Sequence, residues 1–465
     1  MDAHAALQSF WQLGGGDASA PAMVSFTEAD TQLPSVFQVG PLASASIAAQ
    51  ALAAAEFWRL RTGQRQQIQV PMRKALAMFR SERYLTVDGK PPAEIRNPLT
   101  GYFQAGDGRW LQLHTNFPHH RDGVLKVLRC ENFHSAVAAA IREWSAAELD
   151  ERLAQQGMCA ALIRSPQEWQ AHPQAAAIAG LPLLEIIRMG DAPAEPPRQA
   201  GETSAARPLS GVRVLDLSRV IAAPVAGRTL AQHGAEVLAI SAAHLPDIAP
   251  LVIDTGRGKR SAQLDLRTVQ GRENLRELIG GADIFLQAYR PGALAGLGFT
   301  SEELCALRPG LIQVSLSAYS HAGPWAGRRG FDSLVQSATG IAYTEGRAAG
   351  LAEPGKLPCQ ALDHATGYLA AFGAMTALKR RAEEGGSWLV RVSLAQTGNW
   401  LQSQERLLPG QPTAELTQQE INASLHVMES PFGRVSAVAP VEQMNLTPPG
   451  FDKPPVPLGT HAAAW

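Results

Sequence analysis

The sequence predicts an α/β fold, a parallel sheet with helical cover joined to a smaller α+β domain. Three observations carry this expectation. Beyond residue 208, short β-branched segments alternate with helix-like ones, the pattern of βαβ units. The run 190–208 (GDAPAEPPRQAGETSAARP) is rich in Pro, Ala and charge and has no apolar period, so it reads as a linker. Finally, CQALDHATGYLAAFGAMTALKRRAEEGGSWLVRV (359–392) aligns without gaps on FQVGPLASASIAAQALAAAEFWRLRTGQRQQIQV (37–70), an internal repeat offset by 392 − 70 = 322 residues.

A chain of 465 residues is too long for one core and predicts two or three domains. The first segment, 1–99, holds the alanine-rich helix and closing strand of the first repeat. Gly14–Gly16 reads as a flexible turn. Residues 100–189 form the small α+β domain. In it DGRWLQLH (107–114) is a turn and strand, and Ser135–Trp144 and Ala146–Gln155 are amphipathic helices. The large domain spans 209–404. Its strands are expected at Val212–Leu217, Glu236–Ile240, Ala282–Leu286, Leu311–Leu316 and Trp388–Leu394, and its helices at Ala223–His233, 268–280 and 301–307. The stretch 361–381 is apolar nearly all round, so a helix there is buried. Lys379, Arg380 and Arg381 suit its C-terminal dipole, and Gly385-Gly386 stops it. The Pro-rich tail, 405–465, is expected to wrap over the surface.

Composition narrows the function classes. Lys+Arg 41 against Asp+Glu 42 leaves a net charge of -1, and no basic tract suited to nucleic acid is present. Four scattered cysteines fit a reduced, cytoplasmic protein without disulfides or a metal site. The N-terminal stretch has no basic region followed by an apolar run, so no signal peptide is expected. The longest apolar stretches carry polar residues and suit buried helices better than membrane spans. No G-x-G-x-x-G follows the Val212–Leu217 strand, which argues against an NAD enzyme. G-x-x-x-x-G-K-[ST], H-E-x-x-H and G-x-S-x-G are also absent.

Asp363 is the leading candidate for chemistry. A carboxylate at the start of an apolar helix is favoured by the dipole and partly desolvated, the setting of a covalent nucleophile. The same residue at the same place also serves as an ordinary N-cap, and local sequence does not separate the two. His364 reads as a base or as a packing residue. Arg257, Lys259, Arg260 and Arg290 border strand-like segments, where parallel sheets collect ligands. They suit the phosphates of a nucleotide-like molecule, or form solvated basic loops.

Several segments taken together resemble the class III coenzyme A transferase family. They are GVRVLDLSRVIAAPVAGRTLAQHGAEVLAI, GRGKRSAQLDLRT, ADIFLQAYRPGALAGLGF, LIQVSLSAYSHAGPWAGRRGFDSLVQSATG and ALDHATGYLAAFGAMTAL, in that order, with PVPLGTHAAAW at the tail. The resemblance implies a Rossmann-like large domain, a smaller domain and a homodimer. It implies transfer of coenzyme A from an acyl-CoA to a carboxylic acid through an aspartyl anhydride and an aspartyl-CoA thioester. Asp363 then matches the nucleophile. Arg219, Val220, Ile221 and Ala222 match contacts to the adenine and pantetheine. Lys259, Arg260 and Arg290 stand as the basic residues for its phosphates. Coenzyme A is then a substrate, with no metal and no NAD.

The order of parts departs from the family. Residues 37–189 are similar to its post-aspartate helix and small domain, yet precede the large domain. Asp363 falls opposite Pro41 in the repeat. Ala242 stands where some members carry a CoA-binding arginine, and no glycine-rich shielding loop is evident before Asp107. An α-methylacyl-CoA racemase shares the fold, but its branch has a histidine where this chain has Phe331. That leaves its acid–base pair incomplete unless His364 substitutes. The sequence is also compatible with a CoA-thioester isomerase or lyase, and with an inactive CoA-binding subunit.

Overall fold

Two alanine-rich helices, Val39–Thr62 and Ala361–Glu384, lie against each other at the centre of the molecule. Both are apolar around most of their circumference, so both are buried, the first from Val39 through Phe57 and the second from Ala361 through Met375. The computed structural model describes residues 2–29, 31–92, 96–197, 207–407 and 411–465. The linker expected at 190–208 therefore falls partly, at 198–206, outside the described residues.

Along the chain, helix Ala3–Gly14 leads to β1 (Val24–Thr27), helix Val39–Thr62, β2 (Ile68–Pro71) and β3 (Thr86–Val87). Gly15 is not part of a flexible turn. It takes φ 66° and caps that first helix, its N–H donating to Gln12 O. The helix itself buries Leu7, Phe10 and Trp11 on one face. A small three-stranded antiparallel sheet follows, β4 (Gly101–Gln104), β5 (Trp110–Leu113) and β6 (Ala160–Leu162). Its own core includes Leu111, Val124, Ile141, Leu149 and Leu153. β7 (Leu184–Gly190) then leaves this unit for the edge of the large sheet.

The large sheet adds β8 (Arg213–Leu217), β9 (Glu236–Ser241), β10 (Lys259–Gln263), β11 (Ile284–Gln287), β12 (Ile312–Ser317) and β13 (Ser387–Ser393). Its order is β10-β9-β8-β11-β12-β13-β7, parallel except for β7. Alternation along the strands splits the side chains between two layers. Val214, Ile284, Leu286, Val314 and Val390 face the central helices, while Leu215, Leu217, Leu238 and Phe285 pack with Leu275 and Ile279 of helix Val269–Gly280. The strand order reverses between β8 and β11, the switch point where such sheets take ligands at the carboxyl ends of their strands.

The tail is more than a wrapping. It contains β14 (Leu425–Ser430), β15 (Gly433–Val438) and β16 (Gln443–Met444). β15 pairs with β3 and β16 with β2, so the tail completes sheets begun by the first repeat.

The 322-residue offset survives in three dimensions. Both central helices have 24 residues, with bounds displaced by 361 − 39 = 322, and their preceding residues, Gln38 and Gln360, share one conformation (φ -76°, ψ 61° and φ -75°, ψ 61°). The next helices start at Met72 and Leu394, the same distance apart. β2 has a parallel neighbour, β1, and an antiparallel one, β16. β13 has a parallel neighbour, β12, and an antiparallel one, β7. Each repeat thus receives its antiparallel strand from the other half of the chain. Among the described residues, no helix is long and apolar enough to cross a membrane.

Candidate active site

At the carboxyl ends of β8 and β9, and beside the start of β10, lies a cleft lined by Asp216, Ser218, Arg219, Val220, Lys259 and Arg260. The loop after β8 bends through Val220 at φ 74°. A β-branched residue in the left-handed region costs on the order of 1–3 kcal/mol and is held only where the surroundings dictate it. Ile221 and Ala222, both buried, then open helix Ala222–Gln232.

The basic residues divide by environment. Lys259 is buried, and its Nζ donates to Asp216 Oδ2 at 2.7 Å and to Pro224 O at 2.8 Å. Burial lowers its pKa and the Asp216 charge opposes that. Gly227 makes room for this pair, because a Cβ there would stand 2.8 Å from Lys259 Nζ. Arg260 reaches Glu236 at 3.2 Å beside the cleft. Arg219 donates to Pro246 O and lies over the Phe117 ring at 5.1 Å. Arg257, grouped with these in the sequence, does not face the cleft. It is buried, with Nε on Asp254 O, one terminal nitrogen on Val438 O and the other on Asp254 Oδ1 at 2.7 Å. Arg290 is exposed and borders a separate polar groove on the other sheet face, with Gln287, Ser315 and Arg391.

Asp363 sits within the first turn of Ala361–Glu384, three residues past the cap position, which Gln360 holds. The carboxylate at the helix end belongs to Asp332, whose Oδ2 accepts the Asp363 N–H at 2.9 Å. Leu362 also donates its N–H to Asp332. The Asp363 side chain is buried and makes no hydrogen bond among the described residues. Burial raises its pKa well above the ordinary carboxylate value, and the nearby charges of Asp332 and Glu82 raise it further. Asp332, also buried, is pushed up to about 6, with its hydrogen bonds from Asp363, Gln336 and Leu362 opposing the shift. The pair titrates as a unit. Asp332 has the hydrogen-bond donors, so Asp363 is the partner that keeps a proton longer.

His364 points the other way. Its Nε2 lies 3.3 Å from Glu82 Oε2, and its ring stacks on Phe79 at 5.3 Å. Phe331 meets an aromatic wall from the small unit, stacked on His114 at 3.8 Å and near Phe117 at 6.2 Å. Burial takes His114 down to about 4 and His120 down to about 3, so both are neutral at physiological pH. Arg328 is fixed on Asp150 and the Trp325 ring, and Arg329 on His120 at 2.9 Å.

In the first repeat the corresponding place has no carboxylate. Pro41, which has no N–H, stands at the position of Asp363, and the neutral Gln32 Oε1 accepts the N–H of Gly40, the position equivalent to Leu362, at 3.0 Å.

Sequence reasoning missed Asp332 and Glu82. Asp332 directly follows Phe331, but nothing local ties it to Asp363, and Glu82 lies in an unremarkable SERY stretch.

A family model described as CoA-transferase family III matches residues 15–183 and 209–439. The chain belongs to this family. The family III match runs through Pro41, Glu82, Asp332 and Asp363 alike. Among curated relatives, "Acetyl-coenzyme A transferase nodX" of Hypoxylon pulicicidum is 30% identical over 322 residues, 65% of this chain and 54% of that protein. "Probable fatty acyl-CoA transferase Rv3272" of Mycobacterium tuberculosis is 33% identical over 216 residues, 44% of this chain and 54% of that protein. The crystal structure of that mycobacterial protein aligns at 33% identity with a TM-score of 0.40, covering 43% of this chain and 58% of the other. This family III chain spans about half the length of the curated relatives it matches.

Proposed function

We propose that the protein moves coenzyme A from an acyl-CoA thioester to a carboxylic acid, with Asp363 as covalent nucleophile. The observation that carries this reading is a buried Asp363 carboxylate without hydrogen bonds among the described residues, kept basic by Asp332 beside it. A carboxylate so placed is a strong nucleophile once ionised. Membership of the family and relatives named for CoA transfer point the same way.

In this reading an Asp363 oxygen attacks the thioester carbon and CoA leaves as thiolate, forming a mixed anhydride. The thiolate then attacks the Asp363 carbonyl carbon, releasing the donor acid and leaving an aspartyl-CoA thioester. An acceptor carboxylate displaces the thiolate to give a second anhydride. The thiolate finally attacks the acceptor's carbonyl, producing the new acyl-CoA and free Asp363. No net proton or electron is consumed. Arg219, Val220 and Arg260 border the cleft suited to the nucleotide end, and Lys259, engaged by Asp216, shapes it rather than contacting phosphate. The N–H groups of Leu362 and Asp363 serve Asp332, so the first turn does not supply them to an oxyanion. With Phe331 stacked in an aromatic wall and His364 turned to Glu82, these two residues give Asp363 no flanking acid–base pair, which disfavours racemase chemistry.

The test is covalent trapping. The protein is incubated with a panel of acyl-CoA thioesters, quenched with hydroxylamine and mapped by peptide mass. A hydroxamate on Asp363, absent from Asp363→Ala, is expected. CoA binding without an adduct from any donor overturns the reading.

A further inference from the structure

The first repeat carries Pro41 where the second carries Asp363, and a carboxylate from just beyond that repeat, Glu82, reaches the neighbourhood of Asp363. Glu82 lies on the short helix Ser81–Tyr84. That helix is pinned by Ser81 Oγ donating to Asp254 Oδ2 at 2.7 Å and by Arg80 donating to Pro358 O at 3.0 Å. The Glu82 side chain is only 8% exposed. One oxygen meets His364 Nε2 at 3.3 Å. The other, Oε1, is buried without a hydrogen bond among the described residues, where its ion-pair contact is Arg83 Nε at 3.7 Å. Leaving a buried carboxylate oxygen unsatisfied is costly, and plain packing does not require it.

We infer that Glu82 is a positioning residue for Asp363, fixing His364 against Phe79 and placing a second negative charge beside the nucleophile. The inference rests on the reading of Asp363 as nucleophile. His364 follows Asp363 on the same helix turn, so clamping its ring between Glu82 and Phe79 fixes the backbone that carries Asp363. The Glu82 charge also bears on Asp363 directly, in the same direction as Asp332. The other titratable or charged groups facing this cluster are Asp332, the buried Cys359 thiol, Arg80 and Arg83, with Asp254 behind His364. The negative neighbours keep the ionised Asp363 basic and hence reactive toward a thioester carbonyl.

The experiment follows the rate of Asp363 hydroxamate formation against pH for the full chain, wild type and Glu82→Gln. Removing the charge is expected to move the acid limb to lower pH and to lower the plateau rate about tenfold, a transition-state loss of about 1.4 kcal/mol. A purely structural Glu82 would lower the thermal midpoint and leave the limb in place. An unmoved limb overturns the inference while Asp363 trapping in the wild type stands. Failure of the wild type to trap overturns both. Should Glu82→Gln not fold, Glu82→Asp withdraws the charge by one methylene. Its limb is then expected to move part of the way in the same direction, and a fixed limb overturns the inference.

Discussion

Gly367→Ala probes the contact that brings the cleft to Asp363. Gly367 lies one turn after Asp363, and the start of helix Ala222–Gln232 packs directly on it. A Cβ there would clash with the Ala222 carbonyl oxygen and stand 2.9 Å from Val225 Cβ and 3.0 Å from its Cγ1. The first obstacle is backbone, so the two helices must separate. Overpacking of this kind costs about 1–3 kcal/mol. Replacing a helix-interior glycine returns about 0.5–1 kcal/mol of propensity and entropy. The net loss is then roughly 0.5–2 kcal/mol, a fall of about 1–8 °C in thermal midpoint on the scale of a domain of about 200 residues. Gly398→Ala is the internal control. Its nearest neighbours are Ile341 Cδ1 at 3.5 Å and Leu362 Cδ1 at 3.6 Å, ordinary contact, so only the propensity gain remains and the midpoint is expected to rise. Thermal unfolding by circular dichroism measures both. Moving the β8 loop away from Asp363 is also expected to slow trapping, since a displacement of about 1 Å costs on the order of 100-fold. A Gly367→Ala protein as stable as the Gly398→Ala one, and trapping at the wild-type rate, would refute the close approach and the site geometry built on it.

Asp363→Asn is expected to stabilise the protein at neutral and alkaline pH. The folded pKa of Asp363 is raised, so the native state binds the proton more tightly. The stability this provides is present below the ordinary carboxylate pKa of about 3.9 and is lost as pH rises through the folded value. The variant's advantage in thermal midpoint should therefore vanish in acid and grow to a plateau above the folded pKa. A constant difference across pH would contradict the burial argument. Lys259→Ala leaves Asp216 buried and unpaired and is expected to cost about 3–5 kcal/mol, whereas Asp216→Asn with Lys259→Met should cost much less, read by urea midpoints. Equal losses would mean that the pair is not the source.

Patterns with a local cause were legible in the chain itself. Strands such as Arg213–Leu217 and Ile312–Ser317 fall within a residue or two of their expected bounds, because β-branched runs and alternation are local properties. The repeat offset of 322 residues was readable because both copies retain the apolar helix, the glycine break and the strand. Asp363 stood out as a candidate by its setting and by the motifs around it. Whether it caps its helix was not readable, because Asp332, which accepts the Asp363 N–H, lies 31 residues away and reaches it only through packing of one helix on another. The tail strands were hidden by their proline-rich surroundings. They pair with β2 and β3, more than 340 residues earlier, and such pairing leaves no local period.

The sequence by itself determined the α/β alternation, the duplication and the segment bearing the carboxylate, since each is written in spacing that the backbone geometry converts directly into helix or strand. Only the tertiary structure decided which charges remain free. Burial gave Lys259 to Asp216 and Arg257 to Asp254, and brought Glu82 to His364 across 282 residues. In a low-dielectric interior each charge must find a partner or shift its titration, and that selection is made by three-dimensional proximity, not by order along the chain.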